Sequence, residues 1–423
     1  MEKAKKITLE NGLRIILAPK ADSFSTTILV LVEAGSKYET KEINGISHFL
    51  EHMCFKGTKK RPKSIDINSE LDGLGAETNA FTSLEYTGYY AKAQPKHLDK
   101  ILDVISDIYL NPTLPEGEIN KERGVIIEEI NMIEDEPRRK IWDVFLELLY
   151  GDQPAGWDVA GTKETVKKLA KDDFIKYRSE HYLPQSTLVV VSGKFDESET
   201  IEKIKNCFSS INLGSKSPKI KIKEHQEKPE ILLKYKKSDQ THMILGVRAY
   251  DLFNKRKYIL EVLADILGSG MSSRLFQRIR EEMGAAYYAR ASADLYTDHG
   301  YLVALVGADN KRIEEVIKAC LEEFKKISEK GVEEKELQKA KDHLLGNLML
   351  SLETSDELAS FYGGQEILTR KLVSPEEYAE KIKNVKAEEI KEVAQDIFKN
   401  GKLNLALIGP FEDKERFEKI LKF

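Results

Sequence analysis

At 423 residues and 48.1 kDa, with 41% hydrophobic residues, the chain is long enough to bury two cores. Its 66 basic and 71 acidic side chains leave a net charge of −5 with no basic tract, which argues against a nucleic-acid partner. The first ten residues hold no apolar segment and no apolar run of about 18 residues occurs, so a cytoplasmic protein without membrane insertion is expected.

The first strand is expected over 26–32. Next, Ile43-Asn44-Gly45-Ile46-Ser47-His48-Phe49-Leu50-Glu51-His52-Met53 has apolar residues at helical spacing, with Ser47 or Asn44 as the cap. Positions i and i+4 share one helix face, so the imidazoles of His48 and His52 can reach a single metal ion. Glu51 lies on the same face, placed to take a proton from water rather than to bind metal. This is the inverted zinc-peptidase motif H-x-x-E-H. With 8 His in the chain, chance supplies such a match roughly 0.015 times. Cys54, two residues past His52, is turned about 200° away and reads as a buried thiol. Cys54, Cys207 and Cys320 are too few and too scattered to imply disulfides.

Asn79-Ala80-Phe81-Thr82-Ser83-Leu84-Glu85-Tyr86 reads as an edge strand able to bind an extended peptide through its main chain, with Asn79, Ala80 and Phe81 as the substrate-contacting residues. A strand follows over 84–93 and a helix over 97–109. Residues 116–142 read as one long acidic helix. Two histidines leave a zinc site short of a third protein ligand. Glu129 is the candidate, with Glu122, two turns earlier on the same face, as the carboxylate that orients a histidine through its free N–H. Glu128 is rotated by about 100° from Glu129.

Further strands are expected over 187–192, 242–247, 301–308 and 403–408, and helices over 311–328 and 333–352. Strands gathered around helix pairs predict an α+β chain, each sheet antiparallel-rich and mixed, with helices packed on one face. Residues 212–229, polar and Lys-rich, read as a linker between a metal-bearing domain, 1–211, and a second domain, 230–423.

An internal repeat supports that division. Shifted by 215, Ile28-Leu29-Val30 falls on Met243-Ile244-Leu245 and His97-Leu98-Asp99 on Arg312-Ile313-Glu314; shifted by 216, Gly193-Lys194-Phe195 falls on Gly409-Pro410-Phe411. Under the shift of 215, His48, Glu51 and His52 become Leu263, Ile266 and Leu267, and Glu122 and Glu129 become Leu337 and Leu344. Polar residues at spots that are core leucines in the other copy need compensation, and a bound metal supplies it.

Together these residues resemble the pitrilysin/insulinase superfamily of zinc peptidases, in the short form similar to mitochondrial processing peptidase. The matching stretches are Gly45, His48, Glu51, His52, Phe55-Lys56-Gly57-Thr58, Asn79-Ala80-Phe81-Thr82, Glu122 to Glu129, Ser273-Arg274-Leu275 through Arg280, and Tyr287. The resemblance covers essentially the whole chain and selects Glu129 over Glu128, because the family's third ligand lies about 75 to 77 residues past the second His. It implies two homologous α/β-roll domains closing on a peptide, one Zn2+ per chain, and zinc metalloendopeptidase activity. Arg280 would hold substrate carbonyls and Tyr287 would stabilise the oxyanion; its neighbour Tyr288 is the competing choice. It further implies pairing into a homodimer, since one chain is half of a four-domain shell. The alternative is a non-catalytic or partner-dependent subunit of a processing-peptidase-like heterodimer; the short Gly268-Ser269-Gly270-Met271-Ser272 segment speaks against the glycine-rich partner type.

Overall fold

Seven consecutive buried residues, Thr26–Val32, demand a strand covered on both faces, and that strand lies inside a sheet. The computed structural model describes residues 4–423. Strands β1 (Lys5–Thr8), β2 (Arg14–Pro19), β3 (Thr26–Val32), β4 (Glu77–Thr82), β5 (Thr87–Ala93) and β6 (Thr187–Gly193) form a sheet ordered β1-β2-β6-β3-β5-β4. Only β2 and β6 run parallel in it. A second sheet, ordered β7-β11-β8-β10-β9, contains β7 (Glu230–Tyr235), β8 (Gln240–Arg248), β9 (Ala286–Leu295), β10 (Gly300–Asp309) and β11 (Leu403–Gly409). Its single parallel pair is β7 with β11. The strand orders superimpose, β7 standing for β2 and β11 for β6, as a duplicated domain requires.

The helices that matter here are α1 (Ile46–Cys54), α2 (Ser64–Gly73), α3 (Leu98–Leu110), α4 (Glu116–Asp135), α5 (Pro137–Tyr150), α6 (Lys163–Lys168), α7 (Lys171–His181), α8 (Glu197–Cys207), α9 (Lys257–Gly268), α10 (Ile313–Lys330), α11 (Glu334–Ser351) and α12 (Ser355–Thr369). The expected single helix over 116–142 is two. Pro137 lacks the N–H that a continuing helix needs, so α4 ends at Asp135 and α5 starts afresh with proline in its first turn. The expected strand over 79–86 is also shorter. It stops at Thr82, and Ser83 to Tyr86 close a turn, with the Ser83 N–H donating to the Tyr86 carbonyl at 2.9 Å. Residues 212–229 contain neither helix nor strand. No helix among the described residues is long and apolar enough to cross a membrane.

Two compact units result: residues 4–131, 158–220 and 349–374, and residues 132–157, 221–348 and 375–423. In the first, Ile28, Val30 and Val32 of β3 share one core with Phe49, Leu50 and Met53 of α1 and Ile101 and Ile105 of α3. That is the helix layer expected on one face. The opposite face is covered by α12, drawn from late in the chain, whose Gly363 brings its backbone down onto Leu29, Leu31 and Val190. The second unit repeats the plan with α5, drawn from early in the chain. Phe145 lies fully buried on Gly246 and Val303, where any β-carbon on Gly246 would be 2.5 Å from the ring. Since α5 and α12 occupy equivalent places in the repeat, the two copies have exchanged one helix each.

Candidate metal centre

The motif helix α1 begins at Gly45, whose φ of +96° is open to glycine and costly for other residues. A β-carbon there would also stand 2.6 Å from the Ala160 carbonyl oxygen. The cap is therefore Gly45, not Ser47 or Asn44. Ser47 is buried and its hydroxyl bonds the Tyr177 hydroxyl at 2.7 Å, while Asn44 Nδ2 donates to the Asp158 carbonyl at 3.0 Å.

From this start, α1 turns Phe49, Leu50 and Met53 into the core and leaves His48, Glu51 and His52 partly accessible. The two imidazoles stand edge to face, ring centres 4.7 Å apart. Glu129 of α4 meets both: its Oε2 is 3.7 Å from His48 Nε2 and 3.8 Å from His52 Nε2. These separations are too long for hydrogen bonds. Donors about 2.1 Å from one tetrahedral ion stand roughly 3.4 Å apart, so the spacing suits a shared cation. Among the described residues, His48, His52 and Glu129 form a group whose donor atoms all lie within 4.8 Å of one another.

The surrounding groups prepare the donors. Glu122, 5% exposed, accepts from His52 Nδ1 at 2.8 Å and from Lys56 Nζ at 2.6 Å. Fixing the proton on Nδ1 turns the Nε2 lone pair toward Glu129. Burial alone would raise the Glu122 carboxyl, but the His52 and Lys56 bonds outweigh it and hold it below the usual range. Burial works against charge on His52 too, yet its bond to Glu122 and the charges of Glu51, Glu122 and Glu129 hold its pKa above the ordinary value. His48 goes the other way, to about 4, chiefly through burial and then through His52, so it is a neutral imidazole at neutral pH, the form that binds metal. Its Nδ1 is buried with no hydrogen-bond partner among the described residues, while Nε2 faces Glu129. The donor set fits zinc: two imidazole nitrogens and one carboxylate, with a fourth position left for water or substrate.

Glu51 sits beside this group. Thr82 Oγ1, at the end of β4, donates to its Oε2 at 2.5 Å. Burial, with a smaller contribution from Glu129, raises its carboxyl against the opposing pull of Thr82 and His52. A carboxylate of raised pKa next to a metal site is suited to taking up and returning a proton.

Strand β4 is the edge of the first sheet, with one side free of strand partners among the described residues. Side chains alternate along it: Thr82 faces α1, whereas Asn79 and Phe81 face α12 and line a cavity of about 250 Å³ with Tyr90, Asp356 and Glu357. The Ala80 N–H donates to Asn79 Oδ1 at 2.9 Å. Arg280 and Tyr287 belong to the second unit. Arg280 lies in a π-helical turn, Phe276–Glu282, its guanidinium 4.8 Å from the Phe276 ring centre and 5.8 Å from that of Tyr287. Tyr287 is 74% exposed; Tyr288 is packed inside, its hydroxyl bonded to His242 Nδ1 at 2.8 Å under Arg138.

Two contributors went unassigned in the sequence. Lys56 follows His52 by four residues, just past the end of α1, and that spacing could have flagged it as the partner of Glu122. Asp158, whose charge favours protonation of His48, is brought in by a loop and left no sequence signal.

The sequence profile described as insulinase (peptidase family M16) matches residues 14–163, and that of the peptidase M16 inactive domain matches residues 168–344. An uncharacterized zinc protease of Bacillus subtilis is 35% identical over 407 residues, covering 96% of this chain and 98% of that protein. One from Streptomyces coelicolor is 32% identical over 417 residues, covering 97% and 90%. Among solved structures, a protease from Helicobacter pylori matches with a TM-score of 0.90 at 25% identity over 96% of this chain and 99% of its own. A peptidase M16 inactive domain from Pseudomonas fluorescens, at 16% identity and a TM-score of 0.90 over 97% and 98%, shares the fold. A chain with two such units, the first carrying an inverted zinc motif and the second holding aliphatic side chains in its place, belongs to the insulinase family of peptidases, family M16.

Proposed function

We propose that the chain is a zinc-dependent metalloendopeptidase with one zinc per chain, held by His48, His52 and Glu129. The convergence of those three donors beside the carboxylate of Glu51 carries this reading. Bound zinc would supply Lewis acidity to a water molecule and to the scissile carbonyl. Glu51 takes the proton from the attacking water and delivers it to the leaving amine, a shuttle that its raised pKa favours. Glu122 keeps the proton of His52 on Nδ1 throughout. The open edge of β4 around Asn79, Ala80 and Phe81 pairs with an extended peptide through main-chain hydrogen bonds, which tolerates many sequences. Arg280 and Tyr287 take the roles the family likeness implies, on substrate carbonyls and the oxyanion. The same likeness supports a homodimer, because one chain brings two of the four units of the family's shell. A non-catalytic subunit would have no need of His48, Glu51, His52 and Glu129 gathered in one place, and their proximity favours the catalytic reading.

The decisive variant is Glu51→Gln. It should bind zinc with wild-type stoichiometry and lose cleavage of a peptide library by about 10²- to 10⁴-fold. Cleavage at the wild-type rate would overturn the assignment of the base. Mass measurement in solution tests the pairing.

A further inference from the structure

Among the fully buried carboxylates of the first unit, Glu39 directs its hydrogen bonds to the start of α1. Glu39 Oε1 accepts from the Ser47 N–H at 2.8 Å, and its Oε2 accepts from the Gly45 N–H at 2.8 Å and Asn44 Nδ2 at 3.0 Å. The first N–H groups of any helix have no partner within it, so two of these bonds satisfy donors that α1 would otherwise bury unpaired. A negative charge at this end also suits the helix dipole. Ser47 immediately precedes His48, so Glu39 grips the helix at the turn that carries the first ligand.

The segment that bears Glu39 is anchored at its other end to the β4–β5 turn. The Ser36 N–H donates to the Ser83 carbonyl at 3.3 Å, the Lys37 N–H to the Leu84 carbonyl at 2.8 Å, and Lys37 Nζ to Glu85 Oε1 at 3.0 Å. Ser83 follows Thr82, which holds Glu51. Residues 35–39 thus join the helix of His48, Glu51 and His52 to the end of the strand that orients the base. Metal and acid–base sites lose function when their parts move by about 1 Å.

We propose that Glu39 is a positioning residue of the metal centre: by holding the first turn of α1 against the β4–β5 turn, it sets the reach of His48 and His52 toward Glu129. This deepens the peptidase reading and rests on it. The test compares Glu39→Gln with Glu366→Gln in the full-length protein, both well below their unfolding temperatures. Glu366 is equally buried, is paired with Arg14 at 3.4 Å and Lys6 at 2.7 Å, and lies on α12 across the sheet from α1. Three quantities are read: zinc affinity by chelator competition, the visible spectrum of the cobalt(II)-substituted protein, and kcat against KM. Glutamine keeps one acceptor and turns an NH2 toward the remaining donors, so Glu39→Gln should lower zinc affinity about 10-fold or more, alter the cobalt bands, and reduce kcat with little change in KM. Glu366→Gln should lower Tm and leave zinc affinity and the cobalt bands at wild-type values. Should Glu39→Gln fail to fold, Asn44→Ala removes one donor from the same carboxylate and should reproduce the change in the cobalt bands at smaller amplitude. Wild-type affinity and spectrum in the Glu39→Gln or Asn44→Ala protein, or an equal loss in Glu366→Gln, would overturn the proposal. Wild-type protein that binds no zinc would overturn it together with the peptidase reading.

Discussion

Replacing Glu122 by glutamine isolates what a carboxylate behind a ligand contributes. The side chain is buried and serves two donors at once, His52 Nδ1 at 2.8 Å and Lys56 Nζ at 2.6 Å. Glutamine has one acceptor and one donor end. With its oxygen toward His52, the NH2 meets the Lys56 ammonium, donor against donor; turned over, it denies His52 Nδ1 an acceptor and favours the tautomer whose Nε2 carries the proton. Either arrangement weakens the Nε2 lone pair as a ligand. Loss of such a partner typically costs 10- to 100-fold in metal affinity, about 1.4 to 2.7 kcal/mol. Competition with a fluorescent zinc chelator reads this directly, and Glu129→Ala, which removes a proposed ligand, should exceed it. Lys56→Met added to Glu122→Gln removes the clash and should recover most of the loss, a coupling measurable as a double-mutant cycle. Zinc affinity unchanged in Glu122→Gln, or a double variant no better than the single one, would refute this account of the His52 tautomer.

Other outcomes follow from the packing. Phe145→Ala in α5 empties the space over Gly246 beside Tyr301 and should cost about 3–5 kcal/mol in denaturant unfolding while zinc affinity stays put; a loss below about 1 kcal/mol would mean that α5 does not cover the second sheet as described. Gly45→Ala forces a β-carbon against the Ala160 carbonyl in a left-handed conformation, costing at least about 1–2 kcal/mol and weakening zinc binding; a variant as stable as wild type would contradict the cap geometry. His181, buried between Tyr38 and Tyr177, has its pKa lowered to about 4, mostly by burial and further by Lys216. The unfolded chain protonates this residue below about pH 6.5 and the folded one only near 4, so stability should fall as pH drops through that window, by up to roughly 3 kcal/mol, and level off below it. In zinc-saturated protein, His181→Phe should flatten that part of the profile relative to wild type, and an unchanged slope would count against the assignment.

What the sequence disclosed follows from where its physics is local. The i, i+4 histidines and the Glu between them depend on a single helix, and the second unit places Leu263, Ile266, Leu267 and Leu337 in its core at the spots the repeat predicts. Strands β3, β6, β8, β10 and β11, runs of β-branched and apolar residues, lie where the pattern put them, within a residue or two. β2 carries the apolar run Ile15-Ile16-Leu17-Ala18 but is only six residues long, and it went unread; so did β9, where polar and small residues alternate. The exchange of α5 and α12 left no trace, because an amphipathic helix records that it has a buried face and not which sheet it will meet. The cap of α1 escapes local pattern for a related reason. Its partner, Glu39, is six residues from Gly45 in a non-helical segment, and local capping rules look only at the residues adjoining the helix.

The repeat also explains how the proposed metal centre can sit in one copy and not the other without changing the fold. In the second unit the equivalent positions are filled by aliphatic side chains, three of them 0–1% exposed, each contributing roughly 1.5–3 kcal/mol by its burial. Exchanging several such side chains for imidazoles and carboxylates forfeits an amount comparable with the whole stability of a domain, about 5–15 kcal/mol. The first unit offsets this in two ways. It leaves His48, Glu51, His52 and Glu129 partly accessible instead of sealed, and it pairs the carboxylate that it does bury, Glu122, with two donors. The remaining deficit is concentrated in donors whose spacing leaves them without one another, which is the arrangement a cation relieves and a hydrogen bond cannot. The same scaffold can therefore hold a packed core in one copy and the proposed metal centre in the other, the difference residing in a handful of side chains on α1 and α4.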